Sequence, residues 1–297
     1  VRWLVDMTTQ PWDPDWLAAD RRMVVQPCIE MMDVLPERYD RSRMFLEEQC
    51  ASTMPAWIGP VGLAPHAPYT TSLNVTRRVA DRSQQEWRLV SMHLAESRDE
   101  MQWLANGTGP FSGLLGPLIG KEFVNSLGSV SEHLVQLEHA HRVLVVHGNY
   151  LSVSELDFMA KQSSSFRLVH CPRTHRFFGH TNDDSTCYPL VERVSAGVGH
   201  LIGTDSRASN PDLNLWCEAQ FLRATHAQLS SLQILRMISL DAIEFLGIAD
   251  HVGTLSAGRP SSLTCVRAVA PDADENSILD AVLGSSTVSS PIESVVG

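Results

Sequence analysis

Short apolar runs alternate with helix-patterned segments along most of this chain, and that alternation restricts its fold more than any other feature. The runs are Leu4–Thr8, Met23–Ile29, Ile58–Pro65, Arg88–His93, Val143–His147, Arg167–Cys171 and Gly199–Gly203. Helical patterns fall between them at Pro36–Ser52, Leu73–Gln85, Ser152–Gln162, Thr186–Ala196, Asp212–Ala224 and Ser231–Leu246. Ser152 and Glu155 have the spacing of a capping box at the start of one such helix. Strand–helix units in series predict a parallel sheet, because a helix returns the chain to the same sheet edge. Residues 97–141 are longer than one crossover needs, which predicts an extra helix over the mouth of a barrel.

Seven strand–helix units are one short of a closed eight-stranded barrel. An open doubly wound sheet is the alternative, but no Gly-rich phosphate fingerprint follows any of the runs. The expectation is an α/β fold, a (β/α)8 TIM-type barrel lacking its first βα unit, over residues 1–250. Residues 251–297 change character. A turn-rich stretch, Gly253–Pro260, leads into a short strand, Leu263–Val266, a helix, Glu275–Leu283, and a Ser/Val-rich tail. This reads as part of a small β domain. The chain opens at Val1 directly on a core-like run, Trp3–Met7, so further coding sequence is expected upstream.

The formal net charge is −11 and no basic patch stands out, which argues against a nucleic-acid partner. No apolar run reaches the length of a membrane-spanning helix, so no membrane partner is expected. The cysteines stand at 28, 50, 171, 187, 217 and 265 without a Cys-x-x-Cys pair. That scatter fits reduced thiols in a cytoplasmic protein better than a disulfide framework.

Chemistry-bearing residues gather where the apolar runs end, the edge at which parallel α/β proteins collect ligands. His66 ends one run in Pro65-His66-Ala67-Pro68-Tyr69, where two prolines stiffen the loop. His93 and Glu96 end the next in His93-Leu94-Ala95-Glu96. His147 precedes Gly148, His175 follows Cys171-Pro172-Arg173-Thr174, and Asp205 follows Gly203-Thr204. Neutral imidazoles can hold a divalent metal, and carboxylates beside it can move protons. Asn210 and Asp212 are better placed than Asp205 to cap the next helix, which leaves Asp205 for chemistry. His139 and His141 form a His-x-His, but it precedes a strand rather than ending one and would face the wrong end.

In this order the motifs resemble the amidohydrolase superfamily, in the branch of cytosine deaminase, guanine deaminase and the triazine hydrolases, over about residues 1–267. The resemblance implies a metal-dependent barrel enzyme holding one zinc or iron ion through a first-strand His-x-His, a fifth-strand His and an eighth-strand Asp. Carried over by motif, His93 and Asp205 are metal ligands, with Asp205 also taking a proton. Glu96 shuttles protons to the leaving group, and His147 orients or polarises the substrate. His66, Tyr69 and His175 contact it. The resemblance also implies a small-molecule substrate and dimers or larger assemblies. No His-x-His precedes Leu4, and Ser261-Ser262 replaces the usual Ala-Asp. The function implied is hydrolysis of non-peptide carbon–nitrogen bonds, foremost deamination of a nucleobase-like or N-heterocyclic amine. If the chain is complete as it stands, His93 and Asp205 alone make a poor metal site and little or no activity is expected. Two alternatives stand beside it: an inactive or truncated barrel that binds a small molecule, and a chlorohydrolase or amide hydrolase using the same site.

Overall fold

Each of the seven apolar runs forms a strand in a computed structural model of the chain, which describes residues 3–10, 23–51, 59–180, 188–249, 257 and 274–284. Two compact units are present, Val1–Leu168 and Val169–Gly297. The first carries β1 (Trp3–Thr8), β2 (Val24–Met31), α1 (Pro36–Ala51), β3 (Gly62–Pro65), α2 (Leu73–Glu86) and β4 (Leu89–Leu94). It continues through α3 (Arg98–Asn106), α4 (Pro110–Leu115), α5 (Lys121–Ser126), α6 (Val130–Leu137), β5 (Arg142–His147) and α7 (Val153–Lys161). Strand β6 (Phe166–His170) starts in the first unit and ends in the second.

Strands β1 to β5 pair in chain order, all parallel. Their pairing lies deep in the core: Val25, Ile29, Leu63, Val90, Met92, Leu94, Val143 and Val145 are each at most 1% exposed. Strands covered on both faces need apolar residues at successive positions, which is why they read as continuous runs. The β2–β3 pair closes tightly at Gly62, where an added Cβ would stand 2.5 Å from the Cys28 sulfur. Cys28, Cys50, Cys171 and Cys217 are free thiols.

The 97–141 segment holds four helices rather than one extra helix. Gly109 and Gly116 bracket α4, and Gly107, Gly109 and Gly128 take positive φ, so the chain breaks into short turns of helix. Their apolar side chains converge on Trp103, Leu115 and Leu127, with Tyr69 and Phe111 packed alongside. Helix α6 lies against α2. His133 joins them, fully buried, with Nε2 2.6 Å from the Leu127 carbonyl and Nδ1 2.9 Å from the Thr76 hydroxyl.

The second unit carries α8 (Pro172–Phe177), α9 (Leu190–Ser195), β7 (His200–Ile202), α10 (Leu215–Thr225), α11 (Ser231–Met237), α12 (Leu240–Leu246) and α13 (Glu275–Gly284). The Gly203 N–H donates to the His170 carbonyl (2.9 Å), continuing the β6–β7 pairing past the strand end. The helix expected over Ser231–Leu246 is two, because the Ser239 hydroxyl bonds the Leu235 carbonyl and the backbone turns away at Ser239. The expected helix Asp212–Ala224 begins later, at Leu215. Its N-cap is Asn214, which accepts from the Trp216 N–H (3.0 Å), not Asn210 or Asp212. The expected strand Leu263–Val266 and the tail lie outside the described residues.

Burial pulls the His133 imidazole down from 6.5 to about 4, against the smaller upward pull of the Leu127 carbonyl. Across that window the unfolded chain binds a proton that the folded chain refuses. Stability is therefore complete above 6.5 and falls as pH drops, by up to about 1.4 kcal/mol per pH unit from this ring. His133→Asn should flatten the pH dependence of the urea midpoint by that amount; an unchanged slope would contradict a buried neutral ring.

Candidate active site at the strand ends

Parallel register brings the first unit's polar residues to one edge. Leu94 pairs with His147 across β4–β5, and Met31 pairs with Pro65 across β2–β3, next to His66. The rings of His66 and His93 are 5.4 Å apart, and those of His93 and His147 5.5 Å apart. Tyr69 extends the row, edge-on to His66 at 5.6 Å and 4.7 Å from Phe111.

Hydrogen bonds fix which nitrogen each ring offers. His93 Nδ1 lies 2.9 Å from the His66 carbonyl, which can only accept. In the neutral ring the proton is therefore on Nδ1, and Nε2 presents its lone pair. His66 Nδ1 lies 2.7 Å from the Thr70 hydroxyl, which in turn donates to the Ala67 carbonyl. The hydroxyl proton is thus committed, and His66 Nε2 also keeps its lone pair. Burial, helped by His93 and Arg38, pulls His66 down to about 3, so it is neutral near pH 7. Burial also pushes the Tyr69 hydroxyl above its ordinary range, and raises Glu30 on β2, where His93 and Arg38 oppose the shift.

His147 ends β5 with φ +68° and is buried; its Nε2 stands 3.6 Å from Glu96 Oε1. Gly148 follows with φ +58°, and a Cβ there would meet Leu168 at 2.4 Å. Its N–H donates to the Leu94 carbonyl (2.9 Å), tying the β5 turn to β4. Glu96 sits in the loop between β4 and α3, beside Ala95 at φ +51°. Among the described residues five non-glycine residues have positive φ; three of them, Ala95, His147 and Asp205, stand at strand ends next to or within the candidate set. Such conformations cost on the order of 1–3 kcal/mol each and persist where surrounding contacts impose them.

The second unit holds Asp205 in its own network. Its Oδ2 accepts from the Ser209 hydroxyl (2.7 Å), so Asp205 is engaged rather than left over from capping. Asn210 donates to the Thr204 carbonyl (2.8 Å) and to Glu218 (2.6 Å). Arg173 donates to Glu218 (2.6 Å), to Asp212 (2.5 Å) and to Asn210 (2.9 Å), and Asn214 rather than Asn210 or Asp212 caps α10. His175 lies in α8, buried, with its ring within 5.6 Å of His170, His180 and Tyr188. Burial draws it down to about 4. The His141 ring lies 4.8 Å from that of Trp87, tilted by 58°, just before the start of β5 and so at the opposite end of that strand from His147.

The donor set fits a divalent metal of the N/O-binding kind: a half-buried imidazole with its tautomer fixed by a carbonyl, a second, buried imidazole and a carboxylate at the same strand ends. Glu100, Ser209 and Glu218 contribute to the local geometry; Ser209 and Glu218 carry no motif of their own in the sequence, and Glu100 shows only the spacing of a capping box with Ser97. Glu100 is fully buried, and burial raises it to about 7 against the downward pull of the Glu96, Ala95 and Ser97 amides.

The family described as the amidohydrolase family matches residues 17–291. A 5-methylthioadenosine/S-adenosylhomocysteine deaminase of Pyrococcus horikoshii is 29% identical over 191 residues, 62% of this chain and 40% of that protein. An aminodeoxyfutalosine deaminase of Nitratiruptor is 28% identical over 55% of this chain and 38% of its own length. The chain thus spans about two fifths of the length of these curated relatives. Among solved structures, Helicobacter pylori aminofutalosine deaminase in complex with methylthio-coformycin superposes with TM-score 0.68 at 19% identity, over 87% of this chain and 62% of that one. The zinc complex of an atrazine chlorohydrolase from Arthrobacter aurescens gives 0.65 at 18% identity, over 95% and 64%. These likenesses establish the α/β barrel fold expected from the sequence.

Glu218 is 0% exposed and depends on Arg173 for its charge balance. Arg173→Ala should therefore cost about 3–5 kcal/mol, read as a lowered urea midpoint. Arg173→Met with Glu218→Leu, which removes both charges, should lose far less; equal losses would mean the pair carries no buried charge.

Proposed function

The chain belongs to the amidohydrolase family, and from that premise we propose that it carries most of the catalytic face of a metal-dependent hydrolase acting on non-peptide carbon–nitrogen bonds. The preferred substrate class is an amino-substituted nucleoside or other N-heterocyclic amine. The observation that carries this reading is the convergence of a tautomer-fixed His93, His147 and Glu96 at adjacent strand ends, with His147 and Glu96 3.6 Å apart.

His93 and Asp205 would hold the divalent metal, zinc or iron, together with the His-x-His pair that the family resemblance expects. When bound, such a metal would supply Lewis acidity at the reacting centre. Water adds to the carbon bearing the amino group, Asp205 takes its proton, and Glu96 delivers a proton to the departing nitrogen, so that a C–N bond is exchanged for C=O and ammonia leaves. His147 orients the substrate and polarises the reacting group. His66, Tyr69 and His175 contact the heterocycle. His66 is suited to accepting a hydrogen bond from it, since its Nε2 keeps a lone pair.

The same reading gives the protein a small-molecule substrate, neither a nucleic-acid nor a membrane partner and a cytoplasmic location, with a homodimer as the assembly that the family resemblance implies. The acidic charge supports the lack of a nucleic-acid partner, and no helix among the described residues is long and apolar enough to cross a membrane. Residues 1–250 form the barrel portion and 251–297 part of a small β domain.

Zinc-loaded protein assayed on aminopurine nucleosides and on amino- and chlorotriazines should release ammonia from the aminated compounds. Glu96→Gln should lower kcat by about 10²- to 10⁴-fold without changing the bound zinc. Chloride release without ammonia would favour the chlorohydrolase reading. Binding without any turnover would favour an inactive small-molecule binder.

A further inference from the structure

Four helices begin with a Ser followed three residues later by Glu or Gln: Ser97/Glu100, Ser129/Glu132, Ser152/Glu155 and Ser230/Gln233. In three of them the acidic or amide side chain does the ordinary thing and bonds back to the amide of its own capping serine: Glu132 to Ser129 (2.8 Å), Glu155 to Ser152 (2.7 Å) and Gln233 to Ser230 (2.9 Å). In α3 the Ser97 hydroxyl caps the Glu100 N–H as usual (3.1 Å), but Glu100 reaches further back. Its Oε1 accepts from the Ala95 N–H (3.0 Å) and its Oε2 from the Glu96 N–H (2.8 Å). The carbonyls of the same two residues are held from β5's side, Ala95 by the Tyr150 N–H (3.0 Å) and Glu96 by the Asn149 side-chain amide (2.8 Å). Every backbone donor and acceptor of the Ala95–Glu96 pair is therefore engaged, although Ala95 stands in the left-handed region.

We propose that Glu100 is a positioning residue: its two oxygens clamp the Ala95–Glu96 amides, hold the left-handed turn, and so aim the Glu96 carboxylate at His147. This rests on the reading of Glu96 as the proton shuttle and adds a residue through which Glu96 is set. Only a carboxyl group offers two acceptors in this fork. A glutamine of the same shape turns one of them into a donor facing an N–H, while an aspartate falls short.

The test is Glu100→Gln, with Glu155→Gln in α7 as the control for loss of an ordinary helix start. In zinc-loaded protein, Glu100→Gln should lower kcat by about 10- to 100-fold with KM unchanged, while Glu155→Gln lowers only stability. A second readout does not depend on turnover. The ¹⁵N resonance of His147 Nε2 should move in Glu96→Ala and move in the same direction in Glu100→Gln, but stay in place in Glu155→Gln. A folded Glu100→Gln protein with wild-type kcat and an unmoved His147 resonance overturns the clamp. So does an equal response to both substitutions. Absence of turnover in the wild type would sink the functional reading instead, and the resonance alone then decides the clamp. If Glu100→Gln does not fold, Asn149→Ala releases the same dipeptide from its other side and should shift the His147 resonance likewise.

Discussion

Leu94 lies beside His147 in the parallel ladder between β4 and β5, and the distances of the first unit's site follow from that register. Parallel strands run in one direction, so their carboxyl ends share an edge and a residue just past one strand meets its counterpart past the next. A shift of one residue would turn His147 to the other face of the sheet and separate it from Glu96. The apolar residues of β4 and β5 prevent that slip, because Val90, Met92, Val143 and Val145 are wholly buried at the present register. Packing energy thus fixes the geometry of the chemistry.

Placing three imidazoles and several carboxyl groups beside such a core is costly unless their charges are suppressed or paired. The two units handle this differently. In the first, His66 stays neutral through burial, and backbone carbonyl and hydroxyl partners settle the tautomers of His66 and His93. In the second, Arg173 pairs with both Glu218 and Asp212, and the remaining hydrogen bonds of Asn210 and Ser209 run to the Thr204–Asp205 turn. Neutral rings keep lone pairs for a ligand, whereas a charged network supplies rigidity.

The strands were legible in the sequence because burial on both faces forces an unbroken apolar run. The strand-end residues were legible because His66, His93, Glu96, His147 and Asp205 interrupt or terminate those runs with groups a core would reject. The supporting residues were not. Ser97-x-x-Glu100 has the same spacing as Ser152-x-x-Glu155, and only the three-dimensional path of the preceding loop shows that one carboxylate reaches past its own helix. Asn210 and Asp212 look like caps until Arg173, nearly 40 positions away in sequence, draws both toward itself. The short helices between Gly107 and Gly128 escaped because pieces of six residues show no reliable period.

Ala95 holds its left-handed backbone without being glycine. An L-residue there costs roughly 1–2 kcal/mol that glycine would not. Laboratory evolution selecting for heat resistance alone would favour glycine at this position, and the gain would come with a looser peptide beneath Glu96. An engineer wanting a more durable catalyst has reason to leave position 95 out of the mutated set and to seek stability in the covered helices α2 and α6.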